Sequence, residues 1–413
     1  MGMLVAVLAT GTPALADTLQ QAVDAAISTN PTLASAHARQ RSLAETPEQA
    51  RAAGRLTAAA DASAGYDITD YDKGGGATIS ANLPIWTGGR VSSSVRAATS
   101  DVSAGEEGVR DAEAQLIDTV VSVYAQMLYD QQALDIALDD NTLLDRQVAE
   151  ARARLRLGQA TRTDVAQLEA QRASGDATLA AARAALATDQ ADYRAVVGHD
   201  PGALAPPQEK LAVLPGTLDQ ARSRALAENP VYQQHLRAAD ASGARIAVAR
   251  ANGAPTLSVG TGYGYGSNLA EPRGGFYVRA AMAALVLHVP ILTGGLVASQ
   301  VRQAGADHRA DEFDADAAGR EAVRLTEAAW IALNNAQAQV GANTDRVAAA
   351  DLALKGVRAE YGFSLRTTLD ILVADESLRA AQLALARSRS DALVAQAELL
   401  RATGRLTADS FAE

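Results

Sequence analysis

Proline is missing from two long stretches of this chain: none lies between Pro84 and Pro201, and none follows Pro290. A proline inside a helix costs about 3 kcal/mol, so each empty stretch has room for helices far longer than the ~11-residue mean. Glycine is also absent from 109–157 and from 363–403. Along the first of these regions Val102, Val109, Leu116, Val120, Val123, Met127, Leu134 and Leu138 recur at spacings of seven, four and three. That is the spacing of a coiled-coil seam. A helix over 92–157 is ~100 Å long, and nothing so slender stands without partners packed along it. Composition points the same way. The chain is 48% apolar yet only 4% aromatic, so its core is built from Ala, Leu and Val, as in long packed helices.

Several function classes drop out. With no cysteine there is no disulfide scaffold, no thiolate metal site, no cysteine nucleophile and no cysteine-anchored lipid. Thirty-seven basic against 48 acidic residues give a net charge of −11, the wrong sign for a nucleic-acid groove. His37, His199, His235, His288 and His308 are isolated, and neither H-E-x-x-H nor G-x-S-x-G occurs. The expectation is a protein without enzymatic activity, cofactor or bound metal.

Residues 3–9, LVAVLAT, are followed by Gly11, Pro13 and the triplet Ala14-Leu15-Ala16. This reads as a signal peptide over 1–16, with Asp17 starting the mature chain. No later segment approaches the ~20 apolar residues of a membrane helix. A mature chain that crosses a membrane must do so as a closed β-barrel.

The chain also repeats itself. LPIWTGGR at 83–90 returns as VPILTGGL at 289–296, Asn30-Pro31 as Asn229-Pro230, and the turn LGQATRTDVAQL at 157–168 as YGFSLRTTLDIL at 361–372. Gly198 is matched by Gly404. A unit of about 200 residues is duplicated: a first repeat over 17–200, a Pro-rich linker over 201–216, a second repeat over 217–405 and a tail over 406–413. Each repeat runs short helix, Asn-Pro, helix, strand pair, Thr-Gly-Gly, very long helix, Gly turn, long helix. The fold class is mainly α with a small β part.

Four strands are expected, at about 60–69, 77–86, 256–266 and 277–290. In the first, Ala60, Ala62, Ala64, Tyr66 and Ile68 alternate with Asp61, Ser63, Gly65, Asp67 and Thr69. The fourth is less clean, and 280–289 suits a helix by pattern alone. An apolar face opposite a small polar face is how a lipid-facing, water-lined barrel is written; a soluble half-buried sheet is the bland alternative. The connections Asp70–Gly76 and Ser267–Phe276 are Gly-rich and polar, like outward loops. Four strands cannot close a barrel, since the smallest have eight, so the free edges call for other copies in a closed homo-oligomer.

An Asn-Pro helix start, strand pairs ending in L-P-I-x-x-G-G, a G-x-x-T-R-T-D-V turn and twofold repetition together resemble the TolC family of outer-membrane channel-tunnels, over about 17–405. The resemblance implies a homotrimer in outer-membrane lipid. Each chain gives four strands to a twelve-stranded barrel, and antiparallel coiled-coil helices form a periplasmic tunnel that narrows at its inner end. GQATRTDVAQLEAQ at 158–171 is most similar to the type I secretion branch. That branch works with an inner-membrane ABC transporter and a periplasmic membrane-fusion adaptor. Drug efflux, beside an RND pump, is the alternative, and a non-conducting periplasmic coiled-coil scaffold is a second. The resemblance also places constriction residues. Tyr361, Arg366 and Asp370 fall on the tyrosine, arginine and first selectivity aspartate of the second turn. Thr163 and Asp164 fall on the Thr-Asp pair that holds the arginine across the subunit boundary, and Gln147 on the glutamine completing that network. Val373 replaces the second aspartate of the entrance ring.

Each of these has a plainer reading. Thr161 and Asp164 stand at capping-box spacing after Gly158, so Asp164 satisfies helix N–H groups. Arg366 and Asp370 are i,i+4, an exposed helix pair worth only ~0.3–0.5 kcal/mol. Gly158 and Gly362 mark the two helix–helix turns. Gly88-Gly89 and Gly294-Gly295 follow Thr without the Lys-Ser/Thr of a phosphate loop, and read as strand-to-helix hinges.

Overall fold

The first proline-free stretch opens on one uninterrupted helix, α4 (Arg90–Arg156), and the second on its counterpart α8 (Leu296–Gly362), each of 67 residues. A computed structural model describes residues 17–67, 72–206, 214–268, 278–363 and 365–411. Residues 1–16, read as a signal peptide, lie outside the described residues, as does much of the 201–216 linker. In chain order the elements before α4 are α1 (Leu19–Thr29), α2 (Pro31–Ala44), α3 (Thr46–Ala52), β1 (Thr57–Asp67) and β2 (Asp72–Trp86). After α4 come α5 (Arg162–Val197), α6 (Leu218–Glu228), α7 (Pro230–Ala251), β3 (Thr256–Asn268) and β4 (Val278–His288). The chain then runs through α8 and α9 (Thr368–Ala402) to a final 3₁₀ turn, Ala408–Phe411.

The duplicated motifs have duplicated physical roles. Thr18 and Thr217 cap α1 and α6 through their side-chain oxygens. Asn30 caps α2 by accepting from the N–H of Thr32 at 2.8 Å, with Pro31 at the first helical position, where its missing N–H costs nothing. The amides then reach the end of each repeat's last helix: Asn30 donates to the Val196 carbonyl (3.5 Å) and Asn229 to the Ala402 carbonyl (3.0 Å).

By contacts the chain forms two compact units, and each takes elements from both repeats. One comprises residues 1–35, 110–229 and 321–413. Its core gathers Leu19, Val23, Ile117, Val121, Tyr124, Met127, Tyr193, Leu393 and Leu400. Tyr193 donates to the Asp17 carboxylate (2.7 Å) and Tyr124 to the Asp17 carbonyl (2.9 Å), so the two hydroxyls buried in this core are satisfied. The buried stripe of α4 differs from the expected seam. Val120 and Met127 are buried, but Val102, Val109, Leu116, Val123 and Leu134 are half-buried and Leu138 is exposed. The inward line runs instead through Ala137, Asp140, Leu144, Val148 and Ala151. Alanines and one aspartate carry the helical period there, and a search for large apolar residues passes over both.

The other unit, residues 36–109 and 230–320, holds the sheet. Its order is β1-β2-β3-β4, antiparallel throughout. Residues 280–288 are strand, not helix: a strand neighbour accepts their hydrogen bonds. The strands also begin earlier than the alternation suggested, at Thr57 and Asp72. Asp72–Gly76, expected in a loop, extend the β1–β2 ladder, and Ser267–Asn268 pair with Gly74 and Gly75 of β2; the rest of the expected loops, 70–71 and 269–276, lies outside the described residues, as do positions 68, 69 and 277 of the expected strands. The register sorts the side chains by face. Ala60, Ile79, Tyr263 and Ala281 form one cross-strand row, and Leu83, Val259 and Leu285 another on the same face. The opposite face carries Ser80, Asn82, Ser258, Gly260 and Gly262, with Met282 and Val286 as apolar exceptions on β4. Neither β1 nor β4 has an outer neighbour among the described residues.

The chain turns from β2 into α4 at Gly88-Gly89 (φ 61° and 83°) and from β4 into α8 at Gly294-Gly295 (φ 59° and 84°). The pairs share a backbone but not surroundings. A Cβ on Gly88 would stand 2.5 Å from the Ala254 Cβ and 3.1 Å from the Pro255 carbonyl, whereas among the described residues, its chain neighbours apart, nothing lies within 4 Å of one on Gly294. Left-handed backbone alone costs a non-glycine residue about 1–2 kcal/mol. Gly88→Ala should therefore lower the melting temperature of detergent-extracted protein clearly more than Gly294→Ala. Equal losses in a thermal scan would show that backbone strain alone decides.

Candidate functional site

Both long helices end in a turn closed by backbone bonds. After α4, Gly158 adopts φ 73° and the Gln159 N–H reaches back to the Arg154 carbonyl at 2.9 Å. This is the Schellman closure that favours glycine. After α8, the equivalent bond runs from the Leu365 N–H to the Glu360 carbonyl at 3.0 Å. The counterpart of Gly158 is thus position 364, which lies outside the described residues. Gly362, expected to make the second turn, is the last residue of α8 and is not left-handed. The turn match of 157–168 to 361–372 was two residues out of step. The caps fix the true register, with Thr161 matched to Thr367 and Asp164 to Asp370.

Each threonine–aspartate pair is a complete capping box. The Asp164 carboxylate accepts the Thr161 N–H (2.9 Å), and the Thr161 hydroxyl accepts the Asp164 N–H (3.1 Å). Asp370 accepts from both the Thr367 N–H (2.8 Å) and the Thr367 hydroxyl (2.9 Å). These donors hold both carboxyls below the usual carboxylate range, the backbone N–H being the larger cause in each. Whatever they contribute to stability is present above the unfolded carboxylate value and is lost as pH falls through the depressed one.

Arg366 pairs with Glu360 (2.6 Å), both half exposed, and not with Asp370, its expected i,i+4 partner. Asp370 is turned back toward its own cap and adds only a weaker field at Arg366. Tyr361 meets a residue the sequence reading passed over. Its hydroxyl accepts from Arg154 Nη1 at 2.5 Å, and the same guanidinium sits 5.0 Å from the ring centroid. Arg154 follows Glu150 by four residues and bonds it at 2.6 Å. That spacing was legible, but nothing in it points to a tyrosine 207 positions on. Gln147, Arg154, Asp164 and Tyr361 line one small pocket of about 100 Å³, where the Gln147 Oε1 is buried without a partner. Thr163 is exposed in the first turn of α5, and Val373 is exposed on α9 one turn beyond Asp370. Of the six expected constriction residues, the fold therefore gathers Gln147, Asp164 and Tyr361 into one pocket. It leaves Thr163, Arg366 and Asp370 outside that lining.

A second acidic site lies on α4 and α5. Asp130 is buried and takes a hydrogen bond from Gln126 (2.7 Å), while Asp189 Oδ2 is buried without a partner. Burial first, then the Asp130 hydrogen bond and charge, with Asp192 adding to them, push Asp189 up to about 7. A carboxyl raised in the fold adds stability below its unfolded value and loses it as pH climbs through the raised one. Melting should accordingly fall by a few degrees between about pH 4 and about pH 7. Asp189→Asn should flatten that slope. An unchanged slope in the variant would place the titration elsewhere.

A duplicated unit of long helices carrying a four-stranded sheet, neither edge of which has a neighbour among the described residues, is the architecture of a helix-and-barrel channel subunit. The family model "Outer membrane efflux protein" matches residues 22–199 and again 221–405, and the chain belongs to that family. It is 34% identical over 405 residues to the outer membrane efflux protein BepC of Brucella suis, covering 97% of this chain and 88% of that one. It is 24% identical to the alkaline protease secretion protein AprF of Pseudomonas aeruginosa, over 71% of this chain and 62% of that one. Among solved structures, CusC superimposes with a TM-score of 0.79 at 18% identity, over 94% of this chain and 92% of that one, which speaks for the fold alone. Proteins of this family are outer-membrane channels and not enzymes, with their helical part in the periplasm.

Proposed function

We propose that three copies of this chain close one twelve-stranded barrel and form an exit duct from the periplasm to the outside. The observation that carries this is the sheet. It has an apolar face, four strands, and two outer edges, β1 and β4, with no partner among the described residues. In lipid an open edge leaves N–H and C=O groups unsatisfied at several kcal/mol each, so β4 of one copy pairs with β1 of the next. Detergent-extracted protein should migrate as a heat-modifiable trimer and form ion-conducting pores in planar bilayers. A monodisperse water-soluble monomer would end the proposal.

Energy for export comes from outside the chain, which has no nucleotide-binding motif. An inner-membrane ABC transporter and a periplasmic adaptor supply it, the adaptor meeting the helix turns near 158–164 and 362–368. A crosslinker at Gln159, exposed beside Gly158, should trap that adaptor in cells; labelling of lipid or peptidoglycan alone would count against it. Protein export by type I secretion is supported by GQATRTDVAQLEAQ and by the likeness to a protease secretion protein. Small-molecule efflux, beside an RND pump, is the second reading, favoured by the 34% identity to an efflux protein. Deleting the gene separates them: loss of a secreted protein supports the first, and hypersensitivity to antibiotics alone supports the second.

A further inference from the structure

Asp17, the first residue kept after the expected signal-peptide cut, is only 9% exposed. It forms a one-residue parallel bridge with Leu204 of the linker. The Asp17 N–H donates to the Ala203 carbonyl at 2.7 Å, and the Ala205 N–H donates to the Asp17 carbonyl at 3.2 Å. Tyr124 of α4 and Tyr193 of α5, both fully buried, close over it. Tyr124 donates to the Asp17 carbonyl (2.9 Å) and lies 2.5 Å from that of Ala205, while Tyr193 donates to the Asp17 carboxylate (2.7 Å). Chain ends ordinarily fray. This one is built into the core from three sides.

The site has a negative charge and neutral partners. Among the described residues no arginine, lysine or histidine forms an ion pair with the Asp17 carboxylate. Asp140 and Asp375, also buried, differ: Arg379 reaches the first and Arg358 the second. Burial, with the Asp17 charge adding to it, pushes both tyrosine hydroxyls up, so they stay protonated donors and bring no positive charge. A buried carboxylate left without a cation is costly.

The cut itself makes a cation. When a signal peptidase hydrolyses the bond between Ala16 and Asp17, the water oxygen goes to the Ala16 carbonyl carbon. The Asp17 nitrogen leaves as an amine and takes up a proton, becoming an ammonium group near neutral pH. That nitrogen already directs a hydrogen at the Ala203 carbonyl, and only Cα, Cβ and Cγ part it from the carboxylate. We propose that the α-ammonium freed at Asp17 is the counter-ion of the buried Asp17 carboxylate, so that removal of the signal peptide completes this core. The proposal rests on the reading of residues 1–16 as a signal peptide and is independent of the duct.

The test is brief labelling of detergent-extracted protein with an N-hydroxysuccinimide ester at neutral pH, followed by digestion and mass spectrometry. The chain has three lysines, and Lys355, its side chain 69% exposed, serves as the internal standard. Relative to Lys355, the Asp17 amine should react about tenfold or more slowly in the native protein than in the denatured chain. A one-unit rise in its pKa already leaves about tenfold less free amine. Asp17→Asn should restore most of that reactivity, whereas burial of the chain end alone would protect both forms equally. A Gly-Ser insertion between Ala16 and Asp17 keeps the cut and the Asp17 peptide N–H but moves the ammonium away. It should melt about 3 °C or more below the wild type. Should one variant fail to fold, the other decides. An unprotected amine, an Asp17→Asn variant as protected as the wild type, or an insertion that melts with the wild type overturns the counter-ion. A mature chain that begins at another residue overturns the signal-peptide reading together with it.

Discussion

An arginine at Ile79 or Leu83 should keep the protein out of the outer membrane, whereas one at Ser80 should not. Ile79 shares its face with Ala60, Tyr263 and Ala281, and Leu83 with Val259 and Leu285, in the observed register. Ile79 is 61% exposed and Leu285 66% exposed in the single chain. Large apolar side chains left so bare on one sheet face need a solvent as apolar as themselves. Ser80 faces the other way, with Gly262 opposite it. A basic residue on the lipid face of a barrel costs about 2–4 kcal/mol near the midplane. In a trimer each substitution enters three times, for about 6–12 kcal/mol in all, which rivals the whole stability of a domain. The fraction recovered from outer membranes as heat-modifiable oligomer should fall to near zero for Ile79→Arg and Leu83→Arg and stay near wild type for Ser80→Arg. Equal recovery of all three would mean that the apolar face does not meet lipid.

Much of this architecture was legible because helix and strand leave different periods in the sequence. The proline-free stretches became α4 and α8, and Thr-Gly-Gly became left-handed corners in both repeats. What was misread has a common cause. Interior positions filled by Ala137, Asp140 and Ala151 send no hydrophobic signal, so the seam was assigned to larger residues that are half-buried. The fourth strand was ambiguous because VRAAMAALVLH carries apolar residues on both faces. Only its partner β3 settles the matter, and pairing is not a local property.

The site was legible where chemistry is local and opaque where it spans the chain. Thr161 and Asp164 could be read as a capping box from their spacing, and they form one. The second box, Thr367 with Asp370, was missed because the repeats were matched two residues out of step, a slip that caps reveal and apolar patterns do not. Arg366 chose Glu360, six residues earlier, because the turn folds it back along α8. Pairings such as Arg154 with Tyr361 and Arg379 with Asp140 join residues more than 200 positions apart, and no single sequence announces them.

Arg366→Ser should raise single-channel conductance about twofold or more and let large antibiotics leak inward, without loss of the trimer. Around a threefold axis Arg366, Asp370 and Asp164 each occur three times. Like carboxylates brought together repel unless cations or arginines lie between them. Among the described residues of one chain Arg366 is bonded to Glu360, through a half-exposed bridge of the kind that contributes little. It is therefore free to serve a neighbouring copy. Asp164→Ala should act in the same direction, but it also removes a cap, so a control is needed. Thr161→Val takes away the cap hydroxyl that accepts the Asp164 N–H and leaves the carboxylate in place. It should lower stability by about 1 kcal/mol with conductance unchanged. Selectivity follows the same charges: Asp370→Ala should weaken cation preference in reversal-potential measurements, and Val373→Asp, one turn further along α9, should strengthen it. If Arg366→Ser conducts like the wild type while Thr161→Val and Asp164→Ala merely melt earlier by the same amount, these residues cap helices and the channel is gated elsewhere.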